Sequence, residues 1–163
     1  MKIDDLARKI EEFKSAQDKI DLNRQLWVDT TKPLLIKSLE MIRDKFDLGW
    51  DVQIIDEIKN FEAVNISLGF KRSGLRISGN KMKSYLKSGG SLVFSQAYNG
   101  DIFVIIMYPF IEELVTEKEN KLLGKYDPNT INEEFITDKV VTFIDEMIKW
   151  EKATLYNKIG FKI

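Results

Sequence analysis

The segment SLVFSQAYNGDIFVIIMYPF, Ser91 to Phe110, decides the fold. Leu92, Phe94 and Tyr98 alternate with Val93, Ser95 and Ala97, the period-two pattern of a half-buried strand. Asn99-Gly100 follows, and both residues tolerate the positive φ angles of a two-residue type I′ turn, so a tight hairpin is predicted. The returning run from Ile102 to Phe110 is apolar on both faces, with Ile102, Val104, Ile106 and Tyr108 on one and Phe103, Ile105 and Met107 on the other. Such a strand belongs inside a sheet covered on both sides, by helices or by another subunit. At an exposed edge it would invite aggregation.

Toward the N-terminus, Trp50, Val52 and Ile54 alternate with Asp51 and Gln53, and Val64, Ile66, Leu68 and Phe70 alternate with Asn65, Ser67 and Gly69. Lys71-Arg72-Ser73-Gly74 reads as a turn, with Leu75 and Ile77 opening a short third strand. Asn80 to Lys87 fits either a short helix or a loop, which Gly89-Gly90 ends. Hairpin-linked strands in series describe an antiparallel meander of about five strands.

Helices flank this meander. Ile3, Leu6, Ile10, Phe13, Gln17, Ile20 and Trp27 take the a and d positions of a heptad, predicting a helix over residues 3–28. That stripe serves either to pack on the rest of the chain or to bind a partner. Asp29-Thr30-Thr31 before Pro33 resembles a helix start. A second helix is therefore expected over 32–46, joined to the first as a helical hairpin. Beyond the sheet, Ile111–Lys121 suggests a short acidic helix and Leu123–Pro128 a loop. Thr130-Ile131-Asn132-Glu133 has the form of a capping box opening a last helix over 131–156. The fold class is α+β: an N-terminal helical pair, the meander, and a long C-terminal helix packed on the sheet. Residues 1–163 form one domain, from which 1–28 can project as an oligomerisation or partner-binding element.

The 163 residues include no His and no Cys. Ser-His-Asp and Cys-His catalysis and ordinary zinc sites are thereby excluded. Net charge of −1 exerts no global pull on nucleic acid or membrane. The N-terminus lacks the basic-then-apolar order of a secretory signal, and no apolar run approaches membrane length, so a cytoplasmic protein is expected.

Charge is unevenly distributed. Between Glu62 and Asp101 there are no acids, but Lys71, Arg72, Arg76, Lys81, Lys83 and Lys87 are present, interleaved with aromatics such as Tyr85. This run suits a nucleotide or single-stranded nucleic acid. It equally suits a solvated edge guarded by lysines, or pairing with the acid-rich stretch from Glu112 to Asp138. Asp56-Glu57-Ile58-Lys59 contains an E-x-K fragment that resembles the catalytic end of a PD-(D/E)xK nuclease, which would imply a magnesium-dependent enzyme. No upstream strand Asp supports that fragment. Trp27, Trp50 and Trp150 suit core positions, although Trp27 also continues the helical stripe.

The primary expectation is a non-enzymatic interaction protein, self-associating or binding a protein partner through Ile3, Leu6, Ile10, Phe13, Ile20 and Trp27. An anion-binding module using Lys71, Arg72, Arg76, Lys81, Lys83, Tyr85 and Lys87 is the alternative. Neither requires a cofactor or a metal.

Overall fold

The computed structural model describes residues 2–79, 84–114 and 119–153. The helical hairpin expected at the N-terminus is instead one rod. Helix α1 (Ile3–Leu26) passes through a π turn (Trp27–Thr31) into α2 (Lys32–Phe46) without leaving right-handed helical angles. Asp29-Thr30-Thr31 caps nothing, and no side chain caps α2. Pro33 explains the widened turn. In a regular helix its ring would strike the Asp29 carbonyl and its missing N–H would break a bond. The π turn relieves that crowding, the Lys32 N–H reaching back to the Trp27 carbonyl. The helix stops at Asp47, which adopts left-handed angles.

The α+β class holds, with eight strands in two antiparallel sheets among the described residues. The larger has the order β1-β2-β5-β6-β8, from β1 (Asp51–Ile55), β2 (Ala63–Ser67), β5 (Ser91–Gln96), β6 (Ile102–Met107) and β8 (Asn120–Tyr126). The smaller has the order β3-β4-β7, from β3 (Phe70–Arg76), β4 (Ser84–Ser88) and β7 (Phe110–Ile111). Lys71-Arg72-Ser73-Gly74 is therefore strand and not turn. Likewise Leu123 to Tyr126 is strand where a loop was expected. The acidic helix predicted from Ile111 is not there: β7 and a turn over 112–114 precede β8, and residues 115–118 lie outside the description. Helix α3 (Glu133–Lys152) begins two residues later than predicted, because Asn132 is the N-cap, its side chain accepting from the Phe135 N–H at 2.8 Å.

Strand β6 is internal, as its two apolar faces predict. One face is fully buried: Ile102, Val104 and Ile106 join Val64, Ile66, Leu92 and Phe94 beneath α2 and α3. Trp27, Leu35 and Leu39 from the rod and Ile136, Val140 and Phe143 from α3 complete this core. On the opposite face Phe103, Ile105 and Met107 are half-buried, and the Lys125 ammonium lies 5.1 Å from the centre of the Phe103 ring. The Asn99-Gly100 hairpin forms, but as a three-residue loop. The Gly100 N–H bonds the Ala97 carbonyl and only Gly100 takes positive φ, a tight turn followed by a left-handed glycine.

Polar contacts fasten the helices to this core. The Glu62 carboxylate accepts from Trp27 Nε1 at 3.0 Å and from Lys32 Nζ at 2.8 Å. Its backbone N–H donates to Gln96 Oε1 at 3.0 Å. On α3, Glu146 accepts from the Tyr108 hydroxyl at 2.6 Å. Burial, with Glu146 as acceptor, pushes Tyr108 up to about 12. Burial alone would raise Glu62, but the bonds from Lys32 and Trp27 outweigh it and hold the carboxyl below its usual range. Glu146 is also held low, chiefly by the Tyr108 bond.

Both carboxylates thus titrate below their unfolded values. Their stabilisation is complete above the ordinary carboxylate range and is lost as pH falls through the folded values. Thermal stability should therefore fall on acidification below about pH 5. Glu62→Ala should cost about 2 kcal/mol at neutral pH, roughly 4–8 °C in Tm, since it strands the Trp27 and Lys32 donors. Calorimetry across pH checks both, and the penalty of Glu62→Ala should shrink at low pH.

Candidate functional site

Two surfaces hold the residues singled out by sequence. The first is the N-terminal part of the rod. Every residue from Lys2 to Lys19 is exposed, a span of about 25 Å at 1.5 Å per residue. Ile3 is 76% exposed and Phe13 63%, with Leu6 and Ile10 at 45% and 44%. Ion pairs on this segment, Arg8–Asp5, Lys9–Glu12 and Lys14–Glu11, are all exposed and one helical turn apart. Contact with the body starts at Lys19, whose ammonium is 3.1 Å from Asp127. Asp127 is held low by the Asn129 N–H, against the effect of burial, with help from Lys19.

Ile20 is half-buried and Trp27 wholly buried, so Trp27 belongs to the core and not to the partner surface. The base of the projection is gripped by the hairpin loop. Arg24 Nη2 donates to the Tyr98 carbonyl at 2.7 Å while its guanidinium stacks 5.0 Å from the Tyr98 ring. Gly100 presses so near the rod that a Cβ there would lie 2.5 Å from Asn23 Cβ.

The second surface is a ribbon made by β3 and β4. It continues β2 and β5 beyond a glycine break, where the Leu68 N–H bonds the Gly90 carbonyl and the Gly89 N–H bonds the Gly69 carbonyl. Gly69 and Gly90 both have positive φ, and a Cβ on Gly90 would sit 2.7 Å from the Met107 carbonyl oxygen. The break also switches the alternation. Even-numbered Leu92 and Phe94 face the helices in β5, whereas odd-numbered Lys87 meets α3 in β4. Lys87 pairs with Glu151 and lies 5.0 Å from the Trp150 ring.

Lys71 stands directly across the strands from Lys87. Burial and then Lys71 both push the Lys87 amine below its ordinary value. Arg72 faces Leu86 and Arg76 faces Ser84, with a bulge between the two arginines. Both arginines and Lys71 are exposed, as is Phe70 on the arginine side. Tyr85 is half-buried, its carbonyl accepting from Ser73 Oγ at 2.6 Å. Lys81 and Lys83 lie outside the described residues. Among the described residues Lys87 turns to Glu151, and Lys71, Arg72 and Arg76 bond no carboxylate.

The E-x-K fragment falls in an exposed bend after β1, and among the described residues no three acids converge as a metal site would require. Sequence reading missed a shallow apolar groove of about 540 Å³ between α2 and α3, lined by Ile42, Phe46, Trp50, Val140 and Ile144. Its signal was the apolar excess on the outer sides of both helices, in Phe46 and Val141. Compared with protein-family models, curated proteins and solved structures, the chain matches none.

Two substitutions test the ribbon's construction. Lys71→Glu replaces a like-charge cross-strand pair with an attractive one and should raise stability by a few tenths of a kcal/mol at low salt, less at high salt. Gly90→Ala forces a Cβ into the Met107 carbonyl at unfavourable φ and should cost about 2 kcal/mol or more, read by denaturant unfolding.

Proposed function

We propose that this chain is a non-enzymatic interaction protein that self-associates through the projecting half of α1. One observation carries the reading: Ile3, Leu6, Ile10 and Phe13 form a single stripe, yet the body that begins at Lys19 covers none of them. A lone helix of some seventeen residues is marginal in water, and exposed ion pairs one turn apart add only about 0.3–0.5 kcal/mol each. Covering the stripe supplies more, roughly 1–2 kcal/mol for each side chain removed from water.

Charge selects the arrangement. In the heptad frame of the stripe, Lys9 falls at g and Lys14 at e. A parallel pair would set Lys9 of one helix beside Lys14 of the other on both flanks. An antiparallel pair with Ile10 opposite Phe13 avoids this, because Ala7 and Ala16 then lie beside the lysines. Gln17 opposite Leu6 adds one polar layer that fixes register. The lack of His and Cys, which removes Ser-His-Asp and Cys-His chemistry, supports a binding role.

Light scattering should give a concentration-dependent dimer. Phe13→Glu should weaken it at least ~100-fold by burying an unpaired charge in the seam, while the thermal transition of the body is kept. A protein that is monomeric at every accessible concentration contradicts self-association. Because the chain contains no cysteine, orientation is directly testable. Mixed Ile10→Cys and Phe13→Cys chains should cross-link to each other, whereas ready self-cross-linking of Ile10→Cys would indicate a parallel pair.

A further inference from the structure

The ribbon carries charge that the fold does not use. Directly opposed like charges destabilise a strand pair, and Lys71 across from Lys87 is such a pair. Glu151 answers Lys87 alone. Lys71, Arg72 and Arg76 remain exposed without a carboxylate partner among the described residues, in a stretch with no acid from Ala63 to Gly100. If the ribbon's only role were to guard a sheet edge, one or two lysines would suffice, and arginines beside an aromatic would add nothing.

The side-chain set is more specific than a charge patch. Phe70 and Arg72 are two residues apart on one face of β3, about 7 Å along the strand, and Arg76 shares that face. Phe70 is 63% exposed, a bare ring beside planar guanidinium groups. Rings stack on unpaired bases, while arginine and lysine hold the adjoining phosphates. An intact duplex offers phosphates but hides its base faces. Insertion into an anionic membrane is a poorer match. The exposed apolar groups are split between the two faces, Phe70 and Leu86 against Leu75, and the connecting sequence Asn80-Lys81-Met82-Lys83 is polar.

We propose that the β3–β4 ribbon binds single-stranded nucleic acid, with a base stacked on Phe70, phosphates held by Arg72 and Arg76 on the same face, and a further phosphate met by Lys71 reaching round the free edge of β3 from the opposite face. The surface is separate from the α1 stripe, so the two readings stand or fall independently.

The test is fluorescence anisotropy of the full chain with a labelled twenty-residue oligothymidylate, from 20 to 200 mM salt. Three phosphate contacts predict a slope of log K against log salt near −2, about −0.7 per contact. Arg72→Ala with Arg76→Ala should lower affinity at least tenfold and bring the slope to about −0.7. Phe70→Ala should weaken the oligonucleotide about tenfold but leave inorganic polyphosphate binding unchanged. All three positions are exposed, so circular dichroism and Tm should not move, and Phe13→Glu should bind as the parent does. No binding at 20 mM salt, or binding indifferent to these substitutions, overturns the proposal. So do equal affinity for polyphosphate with no effect of Phe70→Ala, and preferential co-sedimentation with anionic vesicles over the oligonucleotide.

Discussion

The structure depends on the carboxylate of Glu62. Two donors from the helical rod, the Trp27 indole and the Lys32 ammonium, converge on one of its oxygens, five residues apart across the π turn. Its backbone belongs to the sheet: the Glu62 N–H meets the Gln96 side chain and its carbonyl accepts from the Gln96 N–H. A single residue thereby joins rod and sheet at the end of β2 and β5. The π turn that Pro33 requires turns Trp27 and Thr31 into the core. Once the rod is anchored there, the direction of everything before it is set. Arg24 and Gly100 extend the grip by one more turn, Lys19 and Asp127 close it, and the helix before Lys19 stays exposed.

A second constraint builds the other surface. β2 and β5 could have run on as one long hairpin with one buried face. The glycines at positions 69, 89 and 90 interrupt the ladder and change the parity of the alternation, so the inward positions of the main sheet do not continue into the ribbon. Side chains that would have pointed into the core point to water, and charge can be carried there without desolvation. On the odd-numbered face that the break turns inward, Lys87 lies against α3, where it meets both a carboxylate and an aromatic ring, Glu151 and Trp150.

Much of this was legible in the residue pattern. The stripes of α2 and α3, the alternation of Leu92 and Phe94 in β5 and the internal position of β6 carried through, whereas the alternation expected from Val64 to Phe70 ends at the glycine break, with Phe70 exposed in β3. What sequence could not decide was set by distant partners. Asp29-Thr30-Thr31-Lys32-Pro33 is equally suited to a helix start and to a π turn; burial of Trp27 and Thr31 selects the second. The loop at Asn99-Gly100 gained a residue because β6 is apolar on both faces, so its pattern fits either register. Pairing of Phe94 with Val104 then brings Ala97 opposite Asp101 and leaves three residues between them. Strand β3 was expected only from Leu75, and β4 and β8 lay where a helix or loop was expected; Ser73-Gly74 and Gly124-Lys125 are turn-like locally, and β3 and β8 are each held in an extended form by a neighbour across a bulge. Of the candidate sites, the exposed stripe and the bases were visible in sequence, but not that Trp27 leaves the stripe for the core, nor that Lys71 and Lys87 stand face to face.

In the proposed dimer the first half of the rod is ordered by association and not by its own body. Amide hydrogen exchange along the rod, followed as a function of protein concentration, tests this most directly. Residues 23–46 should be protected at every concentration, whereas residues 3–18 should gain protection in step with dimer formation. Protection of residues 3–18 that is already complete in the dilute monomer, or still absent when the protein is concentrated, would contradict it.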